Sequence, residues 1–577
     1  MPIFLLATAL AVLAIIIDPG SLAKHFAHPL IMDGAVRESS VEGATLLRWA
    51  LVGSAIALAA IIPLTRGLAP VASSAPSFRP TGDARSAGPA DRPGRRAWLL
   101  LAAAILAGLA LRVQRIDESL WYDEIASLQS YVLHGPGAIV GAYFSPANHI
   151  AQSLASWASI AATGGVNELT IRLPSLIAAV VWIGSMAWIG HAVGGKRVGM
   201  LCAGVAALLP VGVLESVEAR GYSMAMASSA TAIAATLAAC RANGSRSRTW
   251  LVLLASASLA MASWSHLVAA CLTAAAALVA IAFAARRNTR PTARLFLAVA
   301  FAGTALTLVL YAPVIPDILS IRREFRALDG DEPGLLAIEG WHLMLQLGGS
   351  WTWWAALPGL LVAMLGVWHS WRHRRERPLL AIAVALPMIA TGIMLVAVSA
   401  GDSWMYARFA LFAMPASVVA LAWGLVALRS LRPADTLLPT AVGLVIAGAW
   451  MASLSTLPAK QPLREAVAFV AAARAPTDIA LGVGLRDDVL TYYGAALGLS
   501  ITHTGTEGER LRGSLQDPRA RWLILLYPAS MPPDVLRQIA QSGFIAERVF
   551  PGWADWGQGT VIAFHRPMVL TNPLLPK

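Results

Sequence analysis

Charge is scarce in this chain. Of its 577 residues only 13% are charged and 57% are hydrophobic, whereas a soluble globular protein carries about a quarter charged residues. That shortage excludes an ordinary water-soluble enzyme and points to lipid as the solvent. Cysteine is scarcer still. Cys202, Cys240 and Cys271 fall inside or at the ends of apolar runs, with neither metal-ligand spacing nor a disulfide framework, so they leave the redox compartment undefined. No clustered Asp/His pattern demands a metal. No cofactor is expected to be required, although a divalent cation is compatible with the sequence. The one excess is positive charge, formally +12. In a soluble protein this would suggest nucleic acid, but the arginines gather in short loops between apolar runs, the topogenic pattern of membrane proteins. No nucleic-acid partner is expected.

Long apolar runs are what the chain has instead, at lengths that cross about 30 Å of hydrocarbon as helices. Spans are expected near 2–17, 46–65, 97–114, 173–193, 198–214, 222–240, 249–264, 267–285, 295–312, 354–369, 379–399, 409–428 and 436–456, about thirteen in all. The first lacks a basic n-region and a small-x-small cleavage site and reads as a retained helix. Segment 66–96 holds Arg66, Arg79, Arg85, Arg92, Arg95 and Arg96 against Asp83 and Asp91, and every second loop after it is also basic. If those loops are cytoplasmic, the N-terminus is inside and the C-terminal segment outside. A multi-pass membrane location is expected.

This organisation divides the chain into two additional N-terminal helices (1–65), a Pro/Ser/Arg-rich cytoplasmic linker (66–96), a transmembrane core (97–456) with long outer loops 115–172 and 313–353, and an outer domain (457–577). In the last, ALGVGL, RWLILLYP and GTVIAFHR read as strands, and REAVAFVAAARA and PPDVLRQIAQSG as helices. An α/β domain is expected there. Residues 138–165 could pass for another span, but that would invert every later loop, so they are read as one or two helices along the outer membrane surface.

Ionisable residues at a membrane lip are expensive and are candidates for function. On the expected outer side they recur at each re-entry point. Asp123 and Glu124 lie in the first outer loop, Arg172 opens one span, Glu215, Glu218, Arg220 and Tyr222 precede another, His266 sits in a very short turn, and Asp402, Tyr406 and Arg408 form a last group. A planar guanidinium fork matches phosphate oxygens, and a carboxylate can take the proton of an acceptor hydroxyl. Together they suit transfer from a lipid-borne phosphate leaving group. Each arginine has a plainer alternative, snorkelling to lipid headgroups from a helix end. Asp117 and Glu118 read as solvated loop charges. Arg322, Arg323 and Arg326 read as a polar loop face that could also meet phosphate or acceptor. The tryptophans of 341–354 read as an interfacial belt.

"LWYDEIAS", "NELTIRLPSLIAA", "EARGYSMAMAS", "SHLV" and "YARFALFAMP" occur in the order found in bacterial GT-C fold glycosyltransferases of the family 39 type, a group similar to protein O-mannosyltransferases and the lipid A aminoarabinose transferase. The resemblance spans about 97–430, with a weaker echo in "LREAVAFVAAARAPTDIALG" and "LTYYG". It implies an all-α polytopic GT-C core with a C-terminal extracytoplasmic α/β domain, and transfer of a hexosyl or pentosyl group from a polyprenyl-phosphate donor with inversion on the outer face. The acceptor would be a lipid, glycan or protein. It also implies Asp123 as general base with Glu124 as its neighbour, and donor-phosphate or structural roles for Arg172, Arg220, Tyr222, Tyr406 and Arg408, with His266 grouped among them. Relatives carry a His-Pro-Pro stretch where this chain reads "SPANHIAQS", of which Asn148-His149 is a shifted counterpart; these two, with Arg322 and Arg323 from the later outer loop, are the acceptor-side candidates. The rival readings are a transporter or flippase for lipid-linked sugars, whose repeated halves with broken helices are missing from the sequence, and a non-catalytic scaffold.

Overall fold

The computed structural model describes residues 2–31, 36–65, 94–285, 289–328, 335–400, 406–431, 437–484, 487–505, 508–554 and 558–567. Most of the expected linker 66–96 and the candidate Asp402 therefore lie outside the described residues. The chain forms two compact units, Met1–Arg115 with His134–Ser455 and Ile116–Leu133 with Thr456–Lys577.

The first unit is helical, as lipid requires of a chain that must satisfy its backbone polar groups internally. Every expected span falls on a helix. Ten described helices are long and apolar enough to cross a membrane, or eleven if Phe4–Ile16 and Pro19–His25, bent by 93°, form one span. The count differs from the expected thirteen for two further reasons. Ser245–Ser265 covers the expected span 249–264, but its serines and arginines hold its hydropathy below that of the other spans. The expected span 173–193 and most of 198–214 fall in one run, Glu168–Leu208, broken at Gly195 (φ 79°, ψ −172°). Only glycine adopts that conformation readily. It folds the two halves back on each other, so that Trp182 Nε1 donates to the Ala206 carbonyl at 3.3 Å.

Segments assigned by loop charge to one side of the membrane do meet within this unit. Arg37, between the two leading spans, clamps Asp317 through Nη2 to Oδ1 at 2.8 Å and Nη1 to Oδ2 at 3.2 Å. The Tyr143 amide donates to Asp317 Oδ2 at 2.9 Å, and His28 packs against His134 and Phe144 at ring separations of 4.9 Å. The leading helices are thus built into the core. The piece read as surface helices forms Pro136–Gly141 and Ile150–Thr163.

The second unit holds a five-stranded sheet, with β1 (Ile479–Val483), β2 (Ile501–His503), β3 (Ala520–Leu526), β4 (Ile545–Phe550) and β5 (Val561–His565) in the order β2-β1-β3-β5-β4. β1 pairs in parallel with β2 and β3, and β5 runs antiparallel to β3 and β4. β3 is buried almost throughout, as an interior strand covered on both faces should be. The helices Leu463–Ala473 and Pro533–Gln541 coincide with those expected. β2, three residues long, and β4, an exposed edge strand, carry too little apolar pattern to be read in advance. Residues 116–133, expected as part of one continuous outer loop, belong to this unit.

Candidate active site

In the first unit, the motif segments are tied together by backbone. Ser175 of the RLPS stretch donates through Oγ to the Glu218 carbonyl at 2.5 Å, and Ser223 Oγ donates to the Ser175 carbonyl at 2.8 Å. Ser156 Oγ, on the helix Ile150–Thr163, donates to the Ile171 carbonyl at 2.7 Å. Gly221 is the crossing point. A Cβ there would collide with the Ser265 carbonyl and lie 2.7 Å from His149 Nδ1. Glycine is therefore what lets the Ala-Arg-Gly-Tyr turn press against the Ser-His turn.

That contact assembles a cluster of rings and guanidiniums. His149 donates through Nδ1 to the Ser265 carbonyl at 2.8 Å. Its ring lies 5.4 Å from Tyr222 and 5.1 Å from His266, and His266 in turn lies 5.4 Å from Tyr222 and 5.1 Å from Phe409. Arg408 donates through Nε to the Tyr222 hydroxyl at 3.1 Å, with its guanidinium 4.0 Å over the Tyr406 ring. Arg220 Nη1 donates to the Ala147 carbonyl at 2.9 Å. His149, Arg220, Tyr222 and His266 are buried, while Tyr406 and Arg408 are half-buried. Burial, with Arg220 and Arg408 adding positive charge, pushes His266 down to about 3, and burial first and then Arg220 holds His149 well below the ordinary histidine range. Both imidazoles are neutral at working pH.

The other candidates are placed differently. Arg172 is buried in the first turns of Glu168–Leu208. Asn148 is committed to its own loop, donating through Nδ2 to the carbonyls of Ile139 and Ala142 at 2.9 and 3.1 Å and accepting from Ser153 Oγ at 3.0 Å. The side chains of Arg322 and Arg323 lie outside the described residues. Among the described residues no group of three or more His, Cys, Asp or Glu could hold a metal ion.

Two supporting residues escaped the sequence reading. Glu339 is buried, and its Oε2 accepts the Ala407 amide at 2.5 Å, capping the 3₁₀ helix Ala407–Ala413 that begins beside Arg408. It shares its helix face with His342, 3.4 Å from Oε1. A charge in an apolar helical stretch was the available signal, hidden by the surrounding tryptophans. Arg112 is fully buried and donates to Ser216 Oγ and to the carbonyls of Gly108, Ala207 and Gly212 at 2.6–3.2 Å, bracing the turn that leads to Arg220.

The acidic pair lies in the second unit, in the first turn of the helix Tyr122–Ser130. Glu124 is buried, with Oε2 accepting the Trp121 amide at 3.2 Å. One of its oxygens is therefore committed to capping its own helix. Asp123 is half-buried and is the more exposed member of the pair.

No family model matches the chain, and no curated protein matches it by sequence. Solved structures do. The apo crystal structure of ArnT from Cupriavidus metallidurans superposes with a TM-score of 0.52 at 13% identity, over 82% of this chain and 98% of that chain. The chain has the GT-C fold. ArnT from the same organism bound to undecaprenyl phosphate is also similar (TM-score 0.48, 15% identity, 83% of this chain and 99% of that chain). So is the oligosaccharyltransferase AglB from Archaeoglobus fulgidus, in complex with an inhibitory peptide and a dolichol-phosphate (0.46, 13%, 75% and 69%). At these identities the likeness establishes the GT-C fold alone, and the chemistry rests on this chain's own residues.

Proposed function

We propose that the protein is an inverting glycosyltransferase of the bacterial cytoplasmic membrane, moving a monosaccharide from a polyprenyl-phosphate donor to an acceptor hydroxyl on the outer face. The observation that carries this reading is the cluster in which Arg220 and Arg408 share one site with Tyr222 and two uncharged imidazoles. Guanidiniums held by carbonyls, rings and a hydroxyl suit the oxygens of a departing phosphate, whose charge grows as the glycosidic bond breaks.

In the proposed step Asp123 accepts the proton of the acceptor hydroxyl, and that oxygen forms the new bond to the anomeric carbon from the face opposite the phosphate. The anomeric carbon–oxygen bond to phosphate breaks, and its electron pair leaves with polyprenyl phosphate, held by Arg220 and Arg408 with Arg172 in support. Asp123 is assigned as base because it is the more exposed carboxylate of the pair, while Glu124 serves its helix. With base and anion stabilisation both supplied by side chains, the step requires no cofactor, and a need for a divalent cation would appear as loss of transfer on chelation. The acceptor is a lipid, glycan or protein hydroxyl.

The test is incubation of purified protein with a panel of radiolabelled polyprenyl-phosphate hexoses and pentoses and membrane extract, followed by identification of the labelled product. Asp123→Asn is expected to fold and to reduce transfer by at least about 10³-fold, within the span usual for a general base. A fully active variant overturns the reading. A transporter or flippase would relocate the labelled lipid without forming a new glycosidic bond.

A further inference from the structure

The short helix carrying Asp123 has nine residues, below the roughly 12–15 at which an isolated helix becomes even marginally stable in water. Its start must be held by something else. The amides of Leu120, Trp121 and Tyr122 are each met by a side chain. Glu124 takes the middle one, and the other two are held by the C-terminal part of the same unit. Leu120 N donates to the Tyr493 hydroxyl at 2.7 Å, and Tyr122 N donates to Gln461 Oε1 at 2.9 Å. Just upstream, Arg464 N donates to Ser119 Oγ at 3.0 Å, and Arg464 Nη2 donates to the Asp117 carbonyl at 2.7 Å. The rings are gripped too. Lys460 Nζ lies 4.0 Å over Trp121 and 4.9 Å over Trp553, and the Tyr122 ring meets Tyr527 edge-on at 5.7 Å.

The placement of these partners in the sheet matters. β1 lies between β2 and β3 with all three parallel, and open α/β sheets bind ligands beyond the carboxyl ends of strands at such a switch point. Tyr493 comes from the helix Asp487–Ala496 that follows β1, and Tyr527 directly follows β3, in a left-handed conformation (φ 51°). Elements that bind a small molecule in other α/β sheets here bind residues 119–122 of their own chain.

We propose that the C-terminal α/β domain is the holder of the catalytic base, with Tyr493 and Gln461 as positioning residues that set where Asp123 stands. This rests on the reading of Asp123 as base. Both residues are buried and act on backbone amides one to three positions before Asp123, so they act through it. A displacement of about 1 Å in a reacting group costs on the order of 10²-fold in rate, so loosening this grip falls on turnover.

The experiment compares Tyr493→Phe, Gln461→Ala and Asp123→Asn in the full-length protein. It measures kcat and acceptor KM with the polyprenyl-phosphate sugar that the panel identifies, binding of undecaprenyl phosphate without sugar, and amide hydrogen exchange. Tyr493→Phe and Gln461→Ala are expected to lower kcat at least tenfold and to speed exchange at 119–130. β1 and β3 should stay protected, and binding of undecaprenyl phosphate should stay within twofold. An unchanged kcat despite faster exchange overturns the inference, as does a rise in acceptor KM at constant kcat, which would make the domain an acceptor reader. If Asp123→Asn is inactive while the other two retain full turnover, the holder inference fails and the base assignment stands. If Asp123→Asn is active, both fall.

Discussion

Asp123 and Glu124 are neighbours in sequence, yet one is half-buried while the other is fully buried with an oxygen on the Trp121 amide. A helix start separates them, because the third helical position points back to the cap and the second does not. A similar division applies to the ring cluster, where burial and the neighbouring guanidiniums hold both histidines uncharged. With its folded value depressed to about 3 from an ordinary 6.5 by burial and by Arg220 and Arg408, His266 binds a proton more readily when unfolded. It therefore favours the folded state above about pH 6.5, and that contribution is lost as pH falls toward 3. Thermal unfolding in detergent should show a midpoint that declines through this window, less steeply in His266→Asn. Between pH 7 and 9 the two proteins should run parallel.

Among elements, the turn bearing Arg408 is built from outside itself. Tyr406 gives the 3₁₀ helix Ala407–Ala413 no side-chain cap, and Glu339 supplies one from the helix Leu335–Leu347. A lost cap costs about 1 kcal/mol, which as binding is roughly a fivefold loss of affinity. Glu339→Ala should weaken binding of undecaprenyl phosphate by about that factor in an equilibrium assay, while Glu339→Gln, which keeps an acceptor oxygen, should lose little. An equal loss in both would mean that the charge, and not the cap, matters. Arg112 plays a comparable part for the turn before Arg220, holding the Gly212 carbonyl and Ser216 Oγ.

For the whole molecule, loop charge assigned sides to segments far apart in sequence, and Arg37, Tyr143 and Asp317, all assigned outside, meet. The proposed orientation can be read directly by cysteine labelling in intact cells. A cysteine at Ser247, exposed in the basic first turn of Ser245–Ser265, should react with an impermeant maleimide only after permeabilisation. One at Gln541, in the C-terminal domain, should react without it. The reverse pattern would invert the topology and place Asp123 on the cytoplasmic side.

The sequence alone determined the membrane fold, the helix positions and most of the α/β domain, because lipid demands long apolar helices and a buried parallel sheet demands short apolar runs, both local in sequence. It also singled out Asp123, Arg220, Tyr222, His266 and Arg408 as candidates, since a charged or polar group at a membrane lip is costly. Tertiary structure decided the rest. That Asn148 serves its loop, that Glu339 caps a turn 68 residues away and that Tyr493 holds an amide 373 residues away are matters of which buried polar group meets which. Such pairings depend on packing between distant segments and have no period or spacing in the chain.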